Sequence, residues 1–252
     1  MEDKIVKVYS NEIVFRGHPD KVCDQISDAI LDECLRQDKD SRCAVEVVGG
    51  KRKIFVTGEV TTKAEIDVEE IVYRVLHDVG YDPDYYEIIN NIGKQSPDIA
   101  QGTTDELGGA GDNGMMFGFA CDDTEELLPL AMVILQKLSV QYDKLRMVDR
   151  RFLSDGKAQI TGYYNKDMKL QRIKAFTICY QNTEEERAAT DEIIKCVARK
   201  ICDTYRVKID EFLINPTGKF QVGGFEADSG LTGRKIVVDT YHSFAKVGRW
   251  CI

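Results

Sequence analysis

A mixed fold of helices and strands is predicted by three observations. Helical stripes and strand patterns interleave along the 252 residues, the clearest strand pair is a hairpin, and a strand followed by a polar cap and a helix occurs twice. The first helix runs from Pro19 to Asp38, with Pro in its first turn and an apolar stripe at Val22, Ile26, Ile30 and Cys34. Cys43 to Val48, the turn Gly49-Gly50-Lys51-Arg52 and Lys53 to Val60 read as the hairpin. Asp67 to Asp78 is a second helix. Glu125 to Arg146 is a third, apolar at Leu127, Ala131, Ile134, Leu138 and Leu145, with Pro129 in its first turns. Gln159 to Tyr164 and Ile173 to Tyr180 are strands, and Glu184 to Tyr205 is a fourth helix. The Gly-rich stretch Gln95 to Gly114 divides the halves and reads as a boundary or loop.

Composition narrows the function. With 43% hydrophobic and 31% charged residues the chain is an ordinary globular one. Its net charge of −9 disfavours nucleic acid as a partner but leaves room for a small anion in a locally basic pocket. No apolar run reaches membrane-spanning length and no signal peptide opens the chain, so no membrane partner is expected. Eight cysteines at irregular spacing, none in a Cys-x-x-Cys pair, read as reduced, packed thiols of a cytoplasmic protein. Three histidines (His18, His77, His242) show neither triad nor metal-ligand spacing.

Several clusters have the residue types that chemistry needs. Gly17-His18-Pro19-Asp20-Lys21 displays His, Asp and Lys at a helix N-terminus, where free N–H groups suit phosphate and Asp20 can hold a metal. The same residues also suit a Pro-initiated helix with a capping Asp and solvated charges. A four-residue hairpin loop puts Glu46 and Glu59 on one strand face with Ala44 and Phe55, suggesting a cation or ammonium ligand; a solvent face is the alternative. Gln95 to Gly102 and Gly109 to Gly114, which contains Asp112, permit close backbone approach to a ligand, though turns use the same residues. Neither is a P-loop or a dinucleotide fingerprint. Asp155-Gly156-Lys157, Lys219-Phe220 and Asp228 to Lys235 complete the set. Arg234-Lys235 is a plausible polyphosphate clamp and Phe220 a stacking face, against solvated cations at a hairpin turn.

In order, Gly17 to Asp32 (GHPDKVCDQISDAILD), Gln95 to Gly102 (QSPDIAQG), Gly109 to Gly118 (GAGDNGMMFG) and Asp228 to Tyr241 (DSGLTGRKIVVDTY) resemble the signatures of S-adenosylmethionine synthetase (methionine adenosyltransferase). The resemblance spans about Ser10 to Tyr241. It implies repeated α+β domains, mixed sheets covered by helices. On that reading, residues 1–102 are an N-terminal domain, 103–113 a Gly-rich mobile linker, 114–228 a central domain and 229–252 the stump of a truncated third. It further implies that ATP and L-methionine give S-adenosylmethionine with release of pyrophosphate and phosphate. Mg2+ and K+ are then the cofactors, and the assembly is a homodimer or a dimer of dimers with shared active sites.

Residue by residue, the resemblance assigns catalysis to His18, Lys157, Arg234 and Lys235. ATP binding falls to these four with Asp112, Asp155, Lys219, Phe220 and Asp228. Methionine falls to Glu59, Gln95 and Asp228, magnesium to Asp20 and potassium to Glu46. The chain departs from the pattern after Tyr241. Where the family continues with a Gly-rich segment, here it reads His242-Ser-Phe-Ala-Lys-Val, and a lysine and an aspartate carried by the family's remaining chain have no counterpart. Two readings follow: an adenosyltransferase weakened by truncation, or a non-catalytic nucleotide-binding or regulatory subunit that pairs with an intact homologue.

Overall fold

The computed structural model describes residue 5, residues 7–94 and residues 115–246. In chain order the elements are β1 (Lys7–Val14), α1 (Pro19–Gln37), β2 (Arg42–Gly50), β3 (Lys53–Thr61), α2 (Val68–Val79), β4 (Glu87–Gly93), α3 (Leu130–Val148), β5 (Phe152–Tyr164), β6 (Leu170–Asn182), α4 (Arg187–Thr204), β7 (Phe212–Ile214), β8 (Gly230–Leu231) and α5 (Ile236–Asp239). The fold is α+β, with two mixed four-stranded sheets in the orders β4-β3-β2-β8 and β1-β5-β6-β7.

The two sheets have one plan. In the first, α1 precedes the antiparallel hairpin β2–β3, α2 follows, and β4 returns parallel to β3. In the second, α3 precedes the antiparallel pair β5–β6, α4 follows, and β7 returns parallel to β6. Each sheet then takes an antiparallel edge strand from the far end of the chain: β8 on β2 and β1 on β5. The repeated strand, cap and helix in the sequence is the visible part of this repeat.

Local chemistry explains the elements. His18 caps α1 and Pro19 opens it; Asp67 caps α2 by accepting the Glu70 N–H, and Gly80 closes it in a left-handed conformation. The α1 stripe Val22, Ile26, Ile30 and Cys34 is fully buried against Val45, Val47, Ile54 and Val56 of the hairpin and Ile71, Val72 and Leu76 of α2. A second core joins Ile134, Leu138 and Tyr142 of α3, Ile160, Phe176 and Ile178 of the sheet, and Ile194 and Ala198 of α4.

Three expectations are corrected. Helix α3 starts at Leu130, not Glu125: Pro129 is its N-cap with extended backbone and disfavours a helical conformation at Leu128 before it, and Leu127 is exposed with φ +57°. The hairpin turn is only Lys51-Arg52, because Gly49 pairs with Ile54 and Gly50 with Lys53. Strand β5 reaches back to Phe152 through a register break between Phe152 and Gly156, so Asp155-Gly156-Lys157 lies within the strand.

Beyond β6, Asn215 is buried. Its side-chain oxygen accepts the Tyr180 N–H at 2.9 Å and its amide donates to the Tyr180 carbonyl at 3.0 Å. Asn215→Ala leaves that buried N–H unpaired and is expected to lower the unfolding free energy by about 2 kcal/mol in urea denaturation. A loss under about 0.5 kcal/mol, the range of ordinary surface substitutions, would contradict this reading.

Candidate active site

The site is built around a buried carboxylate. Asp20, in the first turn of α1, is 1% exposed. One oxygen accepts the Leu231 N–H at 2.9 Å and lies 3.7 Å from the Arg234 guanidinium; the other accepts Lys235 Nζ at 2.5 Å. Burial raises the Asp20 pKa, but the Lys235 hydrogen bond, the Leu231 N–H and the two cations outweigh it and hold it below the ordinary value. Asp24, one turn on, accepts the Gly233 N–H at 2.9 Å. Lys21 joins Asp24 at 3.1 Å and Asp239 at 2.8 Å. Residues 231–239 are thus held along the start of α1 by Asp20, Lys21 and Asp24.

His18 stands at the tip of that helix, with Nδ1 accepting the Asp20 N–H at 3.2 Å. That bond leaves the ring proton of a neutral imidazole on Nε2. Burial, and then Lys235, lower its pKa to about 4, against the opposing pull of Asp20 and Asp228; Lys157 lowers it further. The turn before it is tightly constrained. A Cβ on Gly17 would lie 2.3 Å from the Ser154 carbonyl oxygen, and Phe15 N–H donates to the Gly156 carbonyl at 2.8 Å.

Strand β5 provides the opposite wall. Its register break puts Ser154, Asp155 and Gly156 successively inside, and Lys157 outside. Asp155 accepts the Gly224 N–H at 2.8 Å, and its own N–H donates to Gln181 Oε1 at 3.2 Å. Burial raises the Asp155 pKa, the Gly224 and Gly156 N–H groups oppose it, and Asp228 adds to the rise. Asp228 therefore acts on both His18 and Asp155. Phe220, half-buried, reaches the end of β6 by accepting the Asn182 N–H at 2.9 Å, and Lys219 beside it is exposed. A cavity of about 380 Å3 opens beside Arg234 and Lys235, walled on its other side by Ser10, Glu12 and Gln159. A wider groove of about 610 Å3 between α3 and α4 lacks such a cluster and plays no part here.

The structure thus brings His18, Asp20, Asp155, Lys157, Asp228, Arg234 and Lys235 together. Glu46 and Glu59 do share a strand face, but the core lies on the other one, with Val45, Val47, Ile54 and Val56. Glu46 is exposed and takes the Thr232 hydroxyl on its carboxylate; Glu59 is half-buried, opposite Ala44 and beside Gly93. Gln95 and Asp112 lie outside the described residues. The backbone donors of Leu231 and Gly224, and Asp24, were not expected; only Asp24 had a sequence signal, its i+4 position from Asp20 on α1.

Three family models match in succession. Residues 6–97 match the S-adenosylmethionine synthetase N-terminal domain, 107–220 its central domain and 222–252 its C-terminal domain. The chain belongs to the S-adenosylmethionine synthetase family. The cluster draws on all three matched regions of this synthetase chain: His18 and Asp20 from the first, Asp155 and Lys157 from the second, Asp228, Arg234 and Lys235 from the third. His242 stands where the family resemblance places Gly, and its φ of +51° shows why that position suits Gly.

Among the described residues no group of three or more His, Cys, Asp or Glu is placed to hold a metal ion. Two of the oxygen donors present still suit hard cations. Asp20 supplies a hard carboxylate of the kind magnesium takes, beside the two cations Arg234 and Lys235. Glu46 and the Thr232 hydroxyl form an oxygen pair of the kind potassium accepts.

The histidine sets a pH dependence. Between about pH 4 and the ordinary histidine value, the unfolded chain binds a proton that folded His18 refuses, so stability rises with pH through that window. Urea denaturation at pH 4.5 and pH 7 is expected to show a gain for the native chain that exceeds that of His18→Gln by about 2 kcal/mol. Equal gains would contradict the placement of His18.

Proposed function

We propose that the chain binds ATP by its triphosphate and L-methionine beside it, and transfers the adenosyl group to form S-adenosylmethionine. The observation that supports this most is the Asp20–Lys235–Arg234 arrangement, two cations held by one buried carboxylate at the tip of α1.

In this reaction the methionine sulfur attacks C5′ of the ribose. The C5′–O bond breaks, and the electron pair leaves with the triphosphate. Water then cleaves that product to pyrophosphate and phosphate. Charge gathers on the leaving oxygen, so the residues act by holding fixed charge where it develops. Arg234 and Lys235 exchange part of their pairing with Asp20 for phosphate oxygens, and Lys157 faces them from β5. His18, neutral near pH 7 and protonated on Nε2, donates to a phosphate oxygen and takes up a second proton more readily as the anion's charge offsets the cations. Phe220 stacks on the adenine, with Lys219, Asp155 and Asp112 around the nucleoside and phosphates. Glu59, Gln95 and Asp228 take the methionine. Magnesium on Asp20 would screen the leaving charge, and potassium near Glu46 would hold the strand face in place. A second copy of the chain is the natural cover for the open sheet face that carries Val48, Phe55 and Leu231.

Purified chain with ATP, L-methionine, Mg2+ and K+ is expected to form S-adenosylmethionine on chromatography. Lys235→Ala should lower the rate by roughly 10²–10³-fold, the usual effect of removing one preorganised donor. No product from the chain alone, but restored turnover when an intact family member is added, would instead make it a nucleotide-binding subunit. Absence of both turnover and ATP binding would overturn the proposal.

A further inference from the structure

Tyr81 follows the left-handed Gly80 that ends α2, and no motif marks it. Its hydroxyl donates to the Gly17 carbonyl at 2.5 Å, across 64 positions of chain. That carbonyl belongs to the residue before His18, on the turn that Ser154 and Gly156 confine from the other side. The same tyrosine touches the second wall. Gly224 adopts φ +61°, and a Cβ there would lie 2.2 Å from the Tyr81 hydroxyl oxygen. Gly224 is the residue whose N–H donates to Asp155. The Tyr81 ring lies 5.9 Å from Phe225 and 6.2 Å from Tyr86, and the Phe225 carbonyl accepts the Lys51 N–H at 2.7 Å. One phenol therefore bears on both the His18 turn and the Asp155 partner.

We infer that Tyr81 is a positioning residue for the polyphosphate site, setting the separation of His18 from the Asp155–Gly224 contact through its hydrogen bond to Gly17. The inference rests on the reading of the His18 cluster as a polyphosphate site. Tyr81 touches no substrate itself; it acts through Gly17 and Gly224. Burial, reinforced by Asp155, pushes its pKa far above the phenol range, so the hydroxyl stays a donor at all working pH values. Tyr86 is the internal comparison, since it packs in the same aromatic group without a bond to Gly17.

The test is binding of inorganic tripolyphosphate to the whole chain by titration calorimetry, with thermal midpoints recorded for each protein. Tyr81→Phe keeps the ring and is expected to weaken binding about tenfold, the effect of one lost hydrogen bond to a positioning carbonyl. Tyr86→Phe is expected to leave affinity within about twofold whatever it does to the midpoint. Native affinity in Tyr81→Phe, or equal weakening in both variants, would overturn the positioning role while leaving the site reading intact. Failure of the native chain to bind tripolyphosphate would overturn the site reading and this inference with it.

Discussion

The arrangement of this chain depends on one carboxylate taken out of water. Asp20 is almost completely buried, yet it stays ionised because two cations and a backbone N–H converge on it. A buried charge left without its partners costs roughly 3–5 kcal/mol, so residues 231–235 are compelled to lie against α1. From that compulsion follow the short edge strand β8 on β2, the position of Thr232 over Glu46, and the direction in which Arg234 and Lys235 present their charge. The site is assembled from residues 211 positions apart because this contact closes the chain on itself.

Charge sign explains how a chain of net charge −9 carries a locally cationic cluster of the kind the proposed reaction requires. The acids Asp20, Asp24 and Asp239 are occupied by Arg234, Lys235 and Lys21 or by backbone N–H groups. The cations are held in fixed positions rather than neutralised, and Lys157 is exposed across from them. A neutral histidine between them is a group that an incoming anion can charge. Preorganisation of this kind requires no reorientation of side chains from bulk water when a leaving group departs.

Much of the local structure was legible in the sequence, and the reasons differ by element. The α1 stripe was readable because four apolar residues at helical spacing face one core. The Glu46 and Glu59 face was readable despite a turn two residues shorter than expected, since a register shift of two preserves which face each side chain takes. Strands β1 and β4 were not recognised, because edge strands with residues such as Ser10, Asn11, Asn90 and Asn91 lack clean alternation. The site's residue types were visible, but their meeting was not. Leu231 to Asp20 and Gly224 to Asp155 are backbone-to-carboxylate contacts over long separations, and a backbone N–H leaves no mark in a sequence.

The claim that Asp20 holds the 231–235 segment is tested most directly by native-state hydrogen exchange of the Leu231 amide. The account predicts protection comparable to the amides of β2 and β3, falling by at least tenfold in Asp20→Asn while the β3 amides keep most of their protection. Rapid exchange at Leu231 in the native chain, or protection unchanged in Asp20→Asn, would contradict it.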